Sequence, residues 1–151
     1  MRRSHRKQDE PDLGVLSVRT LFGLQRELFA KLAEQGHPRL RARHGAVLAY
    51  LDEEGSRATD LAAQSGQHKQ VIGTLVDELV ALGYVERQPD PADRRAKLIV
   101  PTERGLDHMA KSDAIIADME AAHARAVGEQ AYADFKRVFK LVAERQSGAA
   151  E

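Results

Sequence analysis

The side chains in this sequence best suited to chemistry are cationic and amide groups that bind anions and base edges. The run Asp90-Pro91-Ala92-Asp93-Arg94-Arg95-Ala96-Lys97-Leu98-Ile99-Val100 puts two adjacent arginines in a charged tip between two short apolar stretches. Guanidinium groups on a thin ribbon fit the minor groove of DNA, where narrow A·T-rich segments concentrate negative potential, and Arg94 and Arg95 are assigned there. Asp93 works against attraction to phosphate. Its expected task is to orient an arginine across the turn through a charge-assisted hydrogen bond. Arg87 and Lys97 lie on the ribbon within reach of phosphates, each worth roughly one unit of salt dependence. The competing reading is an ordinary exposed hairpin whose charges serve solubility.

A second constellation lies upstream. In the segment from Lys69 to Leu82, Ile72, Leu75, Val76, Leu79 and Val80 read as one buried stripe, which leaves Gln70, Gly73, Thr74 and Asp77 on the opposite face. Such a row suits the major groove. A glutamine bonds bidentately to adenine, and a threonine offers both a hydroxyl and a methyl that can meet a thymine methyl. His68 and Lys69, at the helix start, reach phosphate or outer base edges. Gly73 costs roughly 1 kcal/mol of helix stability relative to alanine, so it is either a point of close approach to DNA or a tolerated weakness.

These residues need a scaffold, and the chain supplies a mainly α-helical one with a small β-hairpin. Residues 1–11 are polar and basic and read as a disordered arm, and residues 12–151 as a single domain. Apolar residues recur at helical spacing from Asp12 until Gly36-His37-Pro38, and a second helix is expected over about 41–54, with Val47, Leu48 and Leu51 inward and Gly55 ending it. Thr59 is the expected cap of a short helix, with Asp60 at its positive end. Ser65-Gly66 then turns the chain into the longer helix that carries Gln70 and Thr74, giving a helix-turn-helix. Strands are expected at Tyr84–Arg87 and Lys97–Val100. Thr102 can cap a long helix over about 103–127, and after Gly128 a last helix, about 129–145, aligns Tyr132, Phe135, Val138, Phe139 and Val142 before residues 147–151 fray.

Composition narrows the function classes. With 23 basic and 23 acidic residues the formal net charge is zero, so any attraction to nucleic acid must come from local clustering. There are no cysteines, which removes disulfides, thiolate metal sites and thiol redox sensing. The histidines at 5, 37, 44, 68, 108 and 123 show no paired helical spacing for zinc. No run of about 18 apolar residues is present, and a soluble cytoplasmic protein with no membrane partner is expected. Neither a Gly-rich phosphate loop nor a nucleophile elbow occurs, so no enzyme activity, catalytic residue, metal or cofactor is assigned.

The segment from about residue 40 to 105 resembles the winged-helix core of the MarR transcriptional regulators. The resemblance rests on Asp60-Leu61-Ala62, Leu75-Val76-Asp77 with Leu79, Leu82-Gly83-Tyr84-Val85-Glu86-Arg87, the wing run from Asp90 to Lys97, and Thr102-Glu103-Arg104-Gly105. Its most specific part is the Asp-x-Arg of Asp93 and Arg95. The flanking helices are similar in length and order rather than in residues. The resemblance implies a winged helix-turn-helix lobe over about 40–101 and dimerisation helices over about 12–36 and 103–146. It implies a homodimer on a pseudo-palindromic operator of double-stranded DNA, and repression relieved by a small, often aromatic or phenolic, effector bound between the dimerisation helices and the DNA-binding lobe. Arg95 is then the minor-groove arginine and Asp93 its orienting partner, while Lys69, Gln70, Gly73 and Thr74 take base- and phosphate-reading positions. Three departures stand out: Gln70 and Val71 replace small hydroxyl residues, Thr74 stands where an arginine is frequent, and Pro101 replaces a leucine. The operator therefore cannot be copied from relatives.

For the effector, the helices that would line a cavity carry Phe22 and His44, although a lone aromatic or histidine on a helix is more often core or surface than ligand contact. The alternative function is a helical homodimer whose winged helix binds another protein. Salt separates the two, because DNA binding weakens steeply as salt rises and an apolar protein interface does not.

Overall fold

Asp12 starts the first long helix by accepting a hydrogen bond from the Val15 N–H at 2.9 Å, which satisfies a donor that a helix N-terminus leaves orphaned. The computed structural model describes residues 2–148, so most of the expected fraying end lies outside the described residues. In place of the disordered arm expected over residues 1–11, Arg3–Asp9 forms a short helix, α1, with no buried side chain. Arg6 and Lys7 in its last turn complement the helix dipole, and Lys7 Nζ reaches Asp12 at 2.6 Å. Helix α2, Leu13–Glu34, follows as expected, with Leu28 and Leu32 buried near its end.

The chain forms two compact units divided after Ser112. In the first, the helix expected over about 41–54 is much shorter: a 3-10 turn at Ala42–His44 leads into α3, Gly45–Leu48. Gly45 weakens helix in its middle. Downstream, Asp52 N–H donates to Ser56 Oγ (3.0 Å) and Gly55, at φ +103°, turns the chain back. Val47, Leu48 and Leu51 are nevertheless buried. Ser56 then exchanges both backbone hydrogen bonds with Ile99 (2.9 and 2.8 Å), an isolated antiparallel bridge beside the hairpin. That bridge decides where the next helix begins. Helix α4, Ala58–Ser65, has Arg57 rather than Thr59 at its N-cap, Asp60 in its first turn, and Gly66 in the left-handed conformation at its end.

Helix α5, Lys69–Ala81, buries Ile72, Leu75, Val76 and Leu79 against Leu40, Val47 and Leu61 in the core of this unit. Val80, expected inside, is 39% exposed, because it falls at the edge of the stripe. Tyr84 N–H bonds to Leu79 O (2.9 Å) and Gly83 N–H to Val80 O (3.0 Å), the Schellman pattern, with Gly83 at φ +84°. Strands β1, Val85–Asp90, and β2, Asp93–Pro101, pair antiparallel and extend further toward the turn than expected.

Thr102 caps α6, Glu103–Val127, by accepting from Gly105 N–H (3.1 Å) and donates to Gly83 O (2.5 Å). Tyr84 is fully buried beneath this junction. With Asp107 ionised, His37 Nε2–H donates to it (2.8 Å) and Tyr84 O–H donates to His37 Nδ1 (2.7 Å). Arg104 lies over the Tyr84 ring, 4.9 Å from its centroid.

In the second unit, Gly128 at φ +102° separates α6 from α7, Glu129–Ser147. Tyr132 O–H donates to Glu120 (2.8 Å) and Lys136 pairs with the same carboxylate at 2.6 Å. Helix α7 has no buried residue: Phe135, Val138, Phe139, Leu141 and Val142 are all exposed.

Candidate nucleic-acid interface

Burial of the apolar stripe of α5 forces the other face outward. Lys69, Gln70, Thr74 and Asp77 are exposed, as is the N-cap residue His68, and Gly73 is half-buried between them. The Thr74 hydroxyl donates to Gln70 O at 3.2 Å, which leaves its lone pairs and methyl for a base edge. His68, Gln70, Val71 and Thr74 line a shallow depression. Val71 was absent from the residues expected to read DNA, yet it is 43% exposed in this row. An exposed branched apolar side chain here can meet a thymine methyl. The signal lay in the sequence, since Val71 is one position off the buried stripe.

The ribbon differs from expectation in one detail that bears on its chemistry. Its tip is only Pro91-Ala92. Pairing passes from Pro89 opposite Lys97 to Asp90 opposite Asp93, so Arg94, Arg95 and Ala96 bulge from β2. The arginines thus leave the ribbon at a bulge behind the tip, and both are exposed. Asp93 positions Arg95 through the backbone: its Oδ1 accepts from the Arg95 N–H at 3.0 Å, where a guanidinium contact was expected. A two-residue separation suits this Asx geometry, and it leaves the guanidinium to point elsewhere.

Lys97 is exposed on the ribbon. Arg87 is committed locally, with Nη2 2.7 Å from Asp77 on α5. That ion pair joins β1 to the exposed face of α5, so ribbon and helix row stand side by side. Asp90, the first residue of the charged run, is 6% exposed and holds the turn closed by accepting from the Ala92 N–H (2.9 Å). Its other oxygen accepts from Arg57 Nε at 2.7 Å and pairs with Nη2 at 2.6 Å. The Ala92 N–H and Arg57 together hold this carboxyl below its usual range.

The two residues considered for an effector are not brought together. Phe22 is 55% exposed and lines a groove with Arg26, Phe29, Pro38, Leu40 and Arg41. His44 is 1% exposed: Nδ1 accepts from the Arg41 N–H (2.9 Å), so Nε2–H donates to Glu78 on α5 (2.8 Å). This is a satisfied core histidine, with both ring nitrogens occupied, rather than a ligand contact. His44, then Arg43, hold the Glu78 carboxyl below its usual range.

The MarR family model matches residues 40–96, from the loop before the 3-10 turn to the wing bulge. CouR from Rhodococcus jostii RHA1 bound to p-coumaroyl-CoA shares 28% identity over 87% of this chain and 92% of that one, with a TM-score of 0.69. The transcriptional repressor CouR bound to a 23-mer DNA duplex aligns at 21% identity over 91% and 95%, with a TM-score of 0.72. Wild-type MarR in its apo form from E. coli aligns at 21% over 87% and 96%, with a TM-score of 0.66. No match is found among the curated proteins. The row on α5 and the arginine bulge both lie in the segment that matches the MarR family model, and the chain shares the winged-helix fold of the MarR transcriptional regulators, which are DNA-binding proteins and not enzymes.

Proposed function

We propose that this protein is a homodimeric, ligand-responsive repressor working in the cytoplasm on a pseudo-palindromic operator, with α5 in the major groove and the wing in the flanking minor groove. The observation that carries this reading is the Arg87–Asp77 pair, which ties the ribbon bearing the arginine bulge to the exposed face of α5 that carries Gln70, Val71 and Thr74. His68, Lys69, Gly73 and Lys97 complete the contact surface, and Arg94 and Arg95 enter the minor groove. Two-fold symmetry then places half-sites about 10 base pairs, or a near multiple, apart. Dimerisation falls to residues 12–36 and 103–146, which carry apolar side chains left exposed in a single copy, Leu16, Leu21, Phe135 and Phe139 among them.

The effector site is the groove beside α2. Phe22 and Phe29 offer faces to an aromatic body, and Arg26 and Arg41 offer charge to an anionic group. CouR is bound to p-coumaroyl-CoA, an anionic thioester of a phenolic acid, which makes that compound the first to try. The test is a fluorescence-anisotropy titration on a fragment that the purified protein selects from its source genome. Arg95→Ala should weaken binding about tenfold or more with the dimer intact, and unchanged affinity counts against the wing. p-Coumaroyl-CoA should release the DNA from the parent protein and not from Arg26→Ala. Indifference of the parent counts against this class of effector.

A further inference from the structure

The wing is tied to the first helix of the helix-turn-helix by one buried group. Asp90 ends β1, and both its oxygens are used: Oδ1 accepts from Ala92 N–H, and Oδ2 receives Arg57 Nε and Nη2. Arg57 stands directly before α4, where a capping side chain would ordinarily sit, and it makes no cap hydrogen bond. Its guanidinium instead crosses 33 residues to the wing. Its neighbour Ser56 is bridged to Ile99 of β2, so two consecutive residues hold both strands of the ribbon.

From Asp90 the connections run directly to the arginine bulge. Asp90 pairs with Asp93 across the turn, and Asp93 Oδ1 holds the Arg95 N–H. We propose that Arg57 and Asp90 are positioning residues for DNA binding: their ion pair sets the pitch of the wing, and through the turn and Asp93 it aims the Arg94–Arg95 bulge at the minor groove. This rests on the reading of the wing as a minor-groove element. With Asp90 buried and the Arg57 side chain 39% exposed, desolvation and solvent screening leave the pair little net stability to contribute, whereas a fixed orientation is what such a pair is suited to supply. The wing is a two-stranded ribbon, marginal without tertiary support, so its angle has to be set from outside.

The experiment measures affinity for the selected operator fragment in the full-length protein, with Arg57→Ala, Asp90→Asn, Arg95→Ala, Arg57→Lys and the doubly substituted Arg57→Ala/Arg95→Ala. Arg57→Ala should weaken binding about tenfold, the scale of coupling inside one hydrogen-bonded network. In the Arg95→Ala background it should add almost nothing, and Arg57→Lys should restore most of the affinity. Footprinting supplies a readout that unfolding would not mimic. Hydroxyl-radical protection of the flanking minor groove should disappear in Arg57→Ala while dimethyl sulfate protection in the major groove persists. Full additivity with Arg95→Ala, unchanged affinity in Arg57→Ala, or joint loss of both protections overturns the proposal while leaving the wing reading intact. A harmless Arg95→Ala overturns both.

Discussion

Single residues in this protein work mainly by what already holds them. Lys97 is exposed and Arg87 is not free, because Asp77 sits 2.7 Å from its guanidinium. Lys97→Ala should therefore flatten the salt dependence of DNA binding by about one unit, while Asp77→Asn, which releases Arg87 to phosphate, should steepen it. Binding isotherms across a salt series decide this, and equal slopes in all three proteins would remove both residues from the phosphate contacts. Asp90 gives a test in pH. Ala92 N–H and Arg57 lower its folded pKa, so its contribution to stability is present above the unfolded value near 3.8 and is lost as pH falls through the folded value. The gap in melting temperature between the parent and Asp90→Asn should be full at pH 7 and close as pH drops below about 4. A gap that does not change with pH would mean that the ionised form contributes nothing.

At the scale of elements, periodicity carried most of the information. The burial pattern of α5, the Thr102 cap and the hairpin all follow from apolar spacing and turn residues. Errors arose where a tertiary contact outbid a local preference: Ser56 pairs with Ile99, so α4 starts behind Arg57 and the capping hydroxyl of Thr59 is inside the helix. Gly105 shows the reverse case, a residue conspicuous in sequence whose reason is tertiary. A Cβ at this position would meet the Tyr84 carbonyl oxygen, and that carbonyl also accepts from Thr102 N–H at 3.0 Å. The first turn of α6 is thereby clamped onto the start of β1. Gly105→Ala should cost about 1–3 kcal/mol, read by denaturant unfolding. An unchanged midpoint would show that the turn can shift freely.

For the whole molecule, the decisive fact is apolar surface that one copy leaves uncovered. Phe135 and Phe139 stack at 5.3 Å on α7, and neither is buried. On the proposed homodimer, Phe139→Asp should yield a monomer in sedimentation and weaken operator binding about a hundredfold, because linked engagement of two half-sites would be lost. A stable dimer would move the interface elsewhere.

Residue types and spacing, taken alone, determined the fold class, the exposed row of α5, the arginine pair and the exclusion of thiol chemistry. All of these depend on local periodicity or on which atoms are present. Tertiary structure decided that the arginines leave the ribbon at a bulge, that His44 belongs to the core, that Arg87 is already paired, and that Arg57 reaches Asp90. Each of these outcomes is a contact between residues far apart in the chain or a strand register. Neither is encoded by the spacing of neighbours, because both are set only when separate elements compete for the same donors, acceptors and space.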